Sequence, residues 1–405
     1  MPKNVSLNVR NKKTLYGEVD ISPDTELSML GIVDRLMRFN QVSVTNLPRS
    51  FLFLNFLSVL ENLGFTLTWE NYNYLKISSN TPSKIRDYVS AELLGSAPPY
   101  LLTYLLPLIL KLKGEMEVDV IYKEYIDAPF LANLDIDILL QKNRIYLSVP
   151  LESSDITLKY DMESLDTMFL FNKILMKNIF HNLRIVMPEY HVLKTANIVL
   201  EEDPEEEAFI CPPSIYEFKF FCSLLMLLDG EIEFKGYNLK YFLSHLLGMV
   251  ELGLFYEVID NKLRTWFEPK DLNLEYFYKE ISTQDLAALI MLQTLKSKHN
   301  VRNVVPYKKH FEILIKELNI SGCRIDYKTY AKNDVTYFDL LVKPSNITGV
   351  KIHMYDNRLA MNLSILLPVF CTDAKSRADS INFVEYTLAN FRDNINSINL
   401  DVSFA

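Results

Sequence analysis

Asp356 and Arg358 stand two residues apart at the head of YDNRLAMNLSILLPVF, residues 355–370, a run apolar enough to be a buried helix. An acid in the first turn of a helix faces the positive end of the helix dipole, which is its ordinary use. The pair therefore reads either as a plain helix start with a surface ion pair or as part of an anion site. Asp285, in ISTQDLAALIMLQTL, is a second acid in the first turn of an apolar helix. Asp24 and Thr25 open a third such run in ISPDTELSMLGIVDRLM, and Ser96 precedes a fourth in LLGSAPPYLLTYLLPLIL. YDMESLDTMFLFNKILM and CPPSIYEFKFFCSLLMLL complete a set of six. Helix N-termini gather unpaired N–H groups, so several of them directed into one cleft create a field suited to anions.

Those six starts must be positioned by something that repeats, and a unit of about sixty to seventy residues recurs along the chain. Each opens with a short strand, a polar or Pro-containing break, and a helix apolar nearly all round, which predicts burial. A second strand follows, as in QVSVTNLP, MEVDVIY, LRIVMPEY, EIEFKGY and VRNVVPY. Second helices such as SFLFLNFLSVLENLGF, LKYFLSHLLGMVELG and KHFEILIKELNISG keep a polar face, which predicts an outer layer. Alternating strands and helices give an α/β fold. Three units to a lobe and two lobes are expected, residues 1–22 with 205–405 in one and 23–204 in the other. The cleft between them is the default ligand site.

Composition narrows the function classes. At 405 residues, 49% apolar and 23% charged, the chain has the balance of an ordinary globular protein with room for more than one core. A formal charge of −9 disfavours a nucleic-acid surface, which needs clustered Lys and Arg. No apolar segment reaches membrane-spanning length, since YLLTYLLPLILKL is stopped by Lys111 and contains Pro107. MPKNVSLNVRNKK lacks an apolar signal core, and the expected location is the cytoplasm. Four dispersed cysteines and six histidines without ligand spacing argue against zinc and a disulfide framework. The acidic run EEDPEEE, residues 201–207, reads as a solvated linker, or else a docking site for a basic partner. Only 11 glycines are present, well under the usual share of roughly 7%, and phosphate-cradling loops rely on glycine.

Six units in two lobes resemble the enolpyruvyl transferases, and the motifs are most similar to those of the EPSP synthase (3-phosphoshikimate 1-carboxyvinyltransferase) family. GEVDISPDTELSMLGIVDRL resembles that family's opening strand and Gly-Asp-Lys-Ser helix start. LLGSAPPYLLTYLLPL resembles its Leu-Gly-Asn-Ala-Gly-Thr loop, and YDNRLAM its Asp-His-Arg-Met-Ala-Met. The resemblance implies transfer of the enolpyruvyl group of phosphoenolpyruvate to the 5-hydroxyl of shikimate 3-phosphate, with no metal or organic cofactor. It makes Asp285 the catalytic aspartate. It places Asp24, Thr25, Ser96, Asp356, Arg358, Lys308 and Lys375 on the substrates.

Departures from the family run in one direction. Thr25 stands where the family has lysine, and no arginine follows in TELSML. Asn-Ala-Gly-Thr has become Ser96, Ala97, Pro98 and Pro99, and the prolines remove two N–H donors. The Arg-Pro element is similar to YIDAPF, with Pro129 kept and Asp127 nearby, and the Ser-Ser-Gln motif is reduced to MESLD. Lys308, Lys309 and His310 are out of register with Lys-Glu-x-x-Arg. Lys375 is a candidate for the late lysine, although a gap-free alignment from the C-terminal helix puts Ala378 there. Two multiply anionic substrates repel strongly at low dielectric, so a site short of cations loses its chemistry. The expectation is an EPSP-synthase-like protein, impaired or inactive, serving as a binding or scaffold paralogue with a possible protein partner. The alternative is a working but divergent synthase of aromatic amino-acid biosynthesis. A change of ligand, as in the sister transferase acting on UDP-N-acetylglucosamine, lacks that family's reactive-loop cysteine and Lys-Asn pair here.

Overall fold

The computed structural model describes residues 6–11, 14–79, 85–150, 156–159, 167–180, 183–186, 196–200, 207–236, 238–268, 299–304, 308–320, 322–332, 335–343, 345, 377–379 and 390–404. In chain order, β1 (Ser6–Asn11) and β2 (Leu15–Asp20) lead to α1 (Thr25–Leu36), then β3 (Gln41–Thr45), α2 (Phe51–Leu63), β4 (Thr66–Asn71) and β5 (Tyr74–Ser78). Next come β6 (Tyr88–Val89), α3 (Ala91–Leu94), α4 (Leu102–Lys113), β7 (Glu115–Asp119), α5 (Ala128–Ala132), β8 (Asp137–Leu140) and β9 (Arg144–Ser148). Then follow β10 (Ile156–Lys159), α6 (Thr167–Met176), β11 (Leu183–Val186), β12 (Ala208–Ile210), α7 (Ile215–Leu228), β13 (Gly230–Lys235) and α8 (Leu239–Leu252). The remainder is β14 (Leu254–Ile259), β15 (Lys262–Phe267), β16 (His299–Val304), α9 (Lys308–Ile320), β17 (Arg324–Lys332), β18 (Val335–Lys343), β19 (Arg377–Asp379), α10 (Phe391–Ser397) and β20 (Asp401–Phe404).

These elements form two compact units, one from Pro23 to Pro212, the other holding the described residues up to Ser22 and from Pro213 onward. In the first, the sheets run β12-β3-β5-β4, β6-β7-β9-β8 and β10-β11. The three first helices α1, α4 and α6 pack on one another inside it. All twelve residues of α1 are buried, including Asp34 and Arg35. Those two charges are tolerated because each has a partner. Asp34 accepts from Arg38 at 3.0 Å and from Asn178 at 2.6 Å, and the Arg35 guanidinium lies 4.5 Å from the centre of the Phe209 ring. Burial holds the Asp34 carboxyl above its usual range, against the pull of Arg38. Gly31 is required by the same packing, because a Cβ there would enter the Phe209 ring.

In the other unit the sheets are β14-β15-β13-β2, β16-β18-β17 and β19-β1-β20. Helix α7 is buried from Ile215 to Met226 except at Tyr216. Its Phe218 stacks on Phe242 of α8 at 4.3 Å, and Phe220 meets Phe391 of α10 at 5.2 Å. Gly17 on β2 lets α10 approach, since any side chain there would collide with the Ser397 carbonyl.

Three of the sheets share one order: a first strand parallel to the second, then an antiparallel hairpin. β6 with β7 shows it locally across α4. β3 takes its parallel partner β12 from far downstream, and β13 takes β2 from far upstream. The outer faces of the second helices are less polar than their periodicity predicts. Phe51 and Leu54 on α2, and Leu243 and Leu247 on α8, are each about half exposed. Scattered apolar side chains at a surface are common, because there is too little polar surface to cover a protein.

Candidate functional site

Of the six helix starts, those of α1, α4 and α7 lie among the described residues; the segments that hold Asp285 and Asp356 and the one that precedes α6 lie outside them. Asp24 is extended, at φ −71° and ψ 118°, and its carboxylate accepts from the N–H groups of Glu26 at 3.0 Å and Leu27 at 2.9 Å. The Asp24 carbonyl accepts from both the N–H and the hydroxyl of Ser28, and its own N–H donates to the Pro212 carbonyl at 2.7 Å. Thr25 Oγ1 lies 2.7 Å from Ser50 Oγ, and Ser50 caps α2 by accepting from Phe53 N–H at 3.3 Å. The threonine thus ties two helix starts together and is turned into the protein. Asp24, Thr25 and Glu26 are all buried. The donors that an anion would use are held by the chain's own carboxylate, and a second acid, Glu26, follows in the same turn.

The loop at Ser96 is built differently. Ser96 is exposed, and Pro99–Leu101 forms a short 3₁₀ turn that runs into α4 without a side-chain cap. Pro98 and Pro99 contribute no N–H, so this start presents fewer donors than a loop of ordinary residues would.

Asp127 was singled out only as an acid near Pro129. It caps α5 by accepting from Phe130 N–H at 3.2 Å, and it pairs with Lys173 of α6 at 3.0 Å. Lys173 is a buried cation that sequence reasoning missed, with Nζ 5.2 Å from the centre of the Phe130 ring. The lone charge inside MFLFNKILM was the signal that could have found it.

In the second unit, Ser214 caps α7, accepting from Glu217 N–H at 3.3 Å. The Ser-x-x-Glu spacing in SIYE is the sequence signature of a capping box. Here the glutamate does not turn back onto its own cap. It points into the core, where burial pushes its carboxyl up to about 7 against the hydrogen bonds from Asn394 and Ser22. Burial also pushes the Cys211 thiol of the first unit up to about 12, which makes it inert at neutral pH.

Of the residues named from sequence, the structure brings Asp24 and Thr25 together at the start of α1 and places Ser96 on an exposed loop. Lys308 opens α9, and its side chain lies outside the described residues, as do Asp285, Asp356, Arg358 and Lys375. Among the described residues no three His, Cys, Asp or Glu side chains cluster as metal ligands. No helix of the described residues is long and apolar enough to cross a membrane.

The enolpyruvyl transferase NikO from Streptomyces tendae matches over 100% of this chain and 99% of its own, at a TM-score of 0.68 and 14% identity. The chain has the enolpyruvyl transferase fold. EPSP synthase from Acinetobacter baumannii matches over 100% of both chains, at a TM-score of 0.62 and 11% identity. No protein-family model matches the sequence, and no curated protein does. Backbone likeness at such identity is what packing rules allow: a buried apolar helix keeps its place through many substitutions of similar volume. Site residues have no such latitude, and a shared fold does not carry a function with it.

Proposed function

We propose that this chain is an EPSP-synthase-like protein that is catalytically impaired or inactive and acts as a binding or scaffold paralogue. The observation that carries the proposal is the start of α1. Thr25 stands in place of the family's lysine and is hydrogen-bonded to Ser50 instead of facing an anion. Phosphoenolpyruvate and shikimate 3-phosphate are both multiply charged, and their approach needs cations and open donors. Removing one preorganised donor at a transition-state anion typically lowers the rate by about 10²–10³. The proline-bearing loop after Ser96 supports the same conclusion.

By the resemblance, Asp285 is the catalytic aspartate, and Asp356, Arg358, Lys308 and Lys375 are the remaining contacts for anionic small molecules. A protein partner is the second class of ligand. The test is turnover of shikimate 3-phosphate with phosphoenolpyruvate by the purified chain, followed as phosphate release. The expected result is no rate above background. An ordinary enzyme rate, abolished by Asp285→Asn and Arg358→Ala, would overturn the proposal in favour of a divergent working synthase. A thermal shift with both substrates distinguishes a retained ligand site from a partner surface, because a ligand bound to the folded state raises its apparent stability.

A further inference from the structure

Glu217 lies outside everything the enolpyruvyl chemistry calls on. It is fully buried in the first turn of α7, and two other segments converge on it. Ser22, just past the end of β2, donates its N–H to Oε2 at 2.7 Å, and Asn394 of α10 donates Nδ2 to Oε1 at 2.7 Å. Asn394 also bonds β2 in both directions: it accepts from Asp20 N–H at 3.1 Å and donates to the Asp20 carbonyl at 2.9 Å. Ser397, on the same helix, donates to the Glu18 carbonyl at 2.5 Å. A seven-residue helix is thereby fastened to β2 through Asn394 and Ser397, and Asn394 is held in turn by the Glu217 carboxyl.

The groups that act on Glu217 are the Asn394 amide from α10, the Ser22 N–H and hydroxyl, and the Asp20 carboxylate from β2. The only charge in that set is another acid. Ser22 Oγ is itself buried and has no partner at hydrogen-bond geometry among the described residues, although it faces the Glu217 carboxyl closely enough to steady its charge. A protonated carboxyl can donate to that hydroxyl, and the cluster is then neutral and satisfied. An ionised carboxyl leaves a buried negative charge with no cation in the set around it.

We propose that Glu217 is a proton-operated latch that holds α10 on β2 when neutral and releases it when ionised. Neither catalysis nor ligand binding is involved, so the latch stands whether or not the chain turns over substrate.

The test is amide hydrogen exchange of the full chain across pH 5.5 to 8.5, corrected for the intrinsic exchange rate. Opening of α10 lets Glu217 reach water and its ordinary acidity. The protection of residues 391–397 is then expected to fall by about thirty-fold over that range. Glu217→Gln, which keeps a neutral donor and acceptor, is expected to abolish the pH dependence. Asn394→Ala removes the link while leaving Glu217 in place, and is expected to leave α10 poorly protected at every pH. PH-independent protection in the unmodified protein would overturn the latch. So would a Glu217→Gln chain with the original pH dependence, or an Asn394→Ala chain with the original profile. If Glu217→Gln fails to fold, the unmodified and Asn394→Ala profiles decide the matter.

Discussion

The cap at the start of α1 can be broken with a single change, Asp24→Ala. In the native chain one carboxylate oxygen accepts from Glu26 N–H at 3.0 Å and Leu27 N–H at 2.9 Å in a buried setting. Loss of an N-cap side chain costs about 1–2 kcal/mol. Because the two orphaned N–H groups are buried, the loss falls at the upper end of that range or somewhat above it. Removal of a buried carboxylate returns part of that. The expected net loss is about 2 kcal/mol, read from urea unfolding as a fall in the midpoint at constant slope. Asp24→Asn keeps the accepting oxygen and should stay close to the wild type, because Asn and Asp cap about equally well. The same titrations run in phosphate and in chloride of equal ionic strength probe the anion site. The wild type should be indifferent to phosphate, since its own carboxylate holds the donors. Asp24→Ala should recover part of its loss in phosphate, about 1.4 kcal/mol at ten times the dissociation constant. An Asp24→Ala chain as stable as the wild type would refute the capping account. Phosphate stabilising both chains equally would refute the claim that the carboxylate stands in for an anion.

Other outcomes follow from buried groups. The Glu217 carboxyl, raised from an ordinary 4.5 to about 7 in the folded chain, favours folding most below about pH 4.5 and loses that contribution as pH rises through 7. The expected loss is about 3 kcal/mol of global stability by pH 8, and Glu217→Gln should flatten that part of the curve in denaturant titrations at several pH values. Gly31→Ala would drive a methyl group into the Phe209 ring and should destabilise by about 1–3 kcal/mol. Combining it with Phe209→Leu should recover part of the loss in a double-mutant cycle. Within the Asp127–Lys173 pair, Asp127→Ala should cost more than Lys173→Met. The lysine side chain is 5% exposed and the aspartate 28%, so losing the aspartate strands the more buried charge and also uncaps α5. Equal losses in thermal unfolding would overturn that asymmetry.

The α/β class was legible in the sequence because its main signals are local. Runs apolar nearly all round became α1, α4 and α7, each buried along most of its length. The second strands QVSVT, MEVD and EIEFK lie within β3, β7 and β13. Strand partnership was not legible in the same way. Nothing within a few residues of Gln41 says that its parallel neighbour is Ala208–Ile210, and pairing across such separations is settled by tertiary packing. At the candidate site, residue type was readable but residue use was not. Thr25 could have faced a ligand; its bond to Ser50 depends on where a second helix begins. Glu217 stands at capping-box spacing from Ser214, and only its burial beside Asn394 shows where it points. Lys173 is one charge in an apolar run, and its partner Asp127 lies on a different element, beyond the reach of any local pattern.

The contrast between a working anion site and the start of α1 is a contrast in where stability comes from. A site that waits for a ligand must keep some N–H groups and cations unsatisfied in the free protein, and that costs stability. Asp24 removes the cost by supplying the negative charge from within the chain, so α1 is as well capped alone as it could be with a phosphate in place. The same carboxylate would compete with an incoming anion by occupation and by repulsion together, and Glu26, two positions on, would strengthen the repulsion. Restoring lysine at position 25 would therefore not restore binding by itself. Thr25→Lys alone should lower stability, because it breaks the bond to Ser50 and puts an ammonium in a buried place. Only with Asp24→Ala in the same chain should phosphate raise the urea midpoint above that of the single lysine variant. A phosphate response from Thr25→Lys with Asp24 intact would show that the missing cation, and not the self-made cap, is what closed the site.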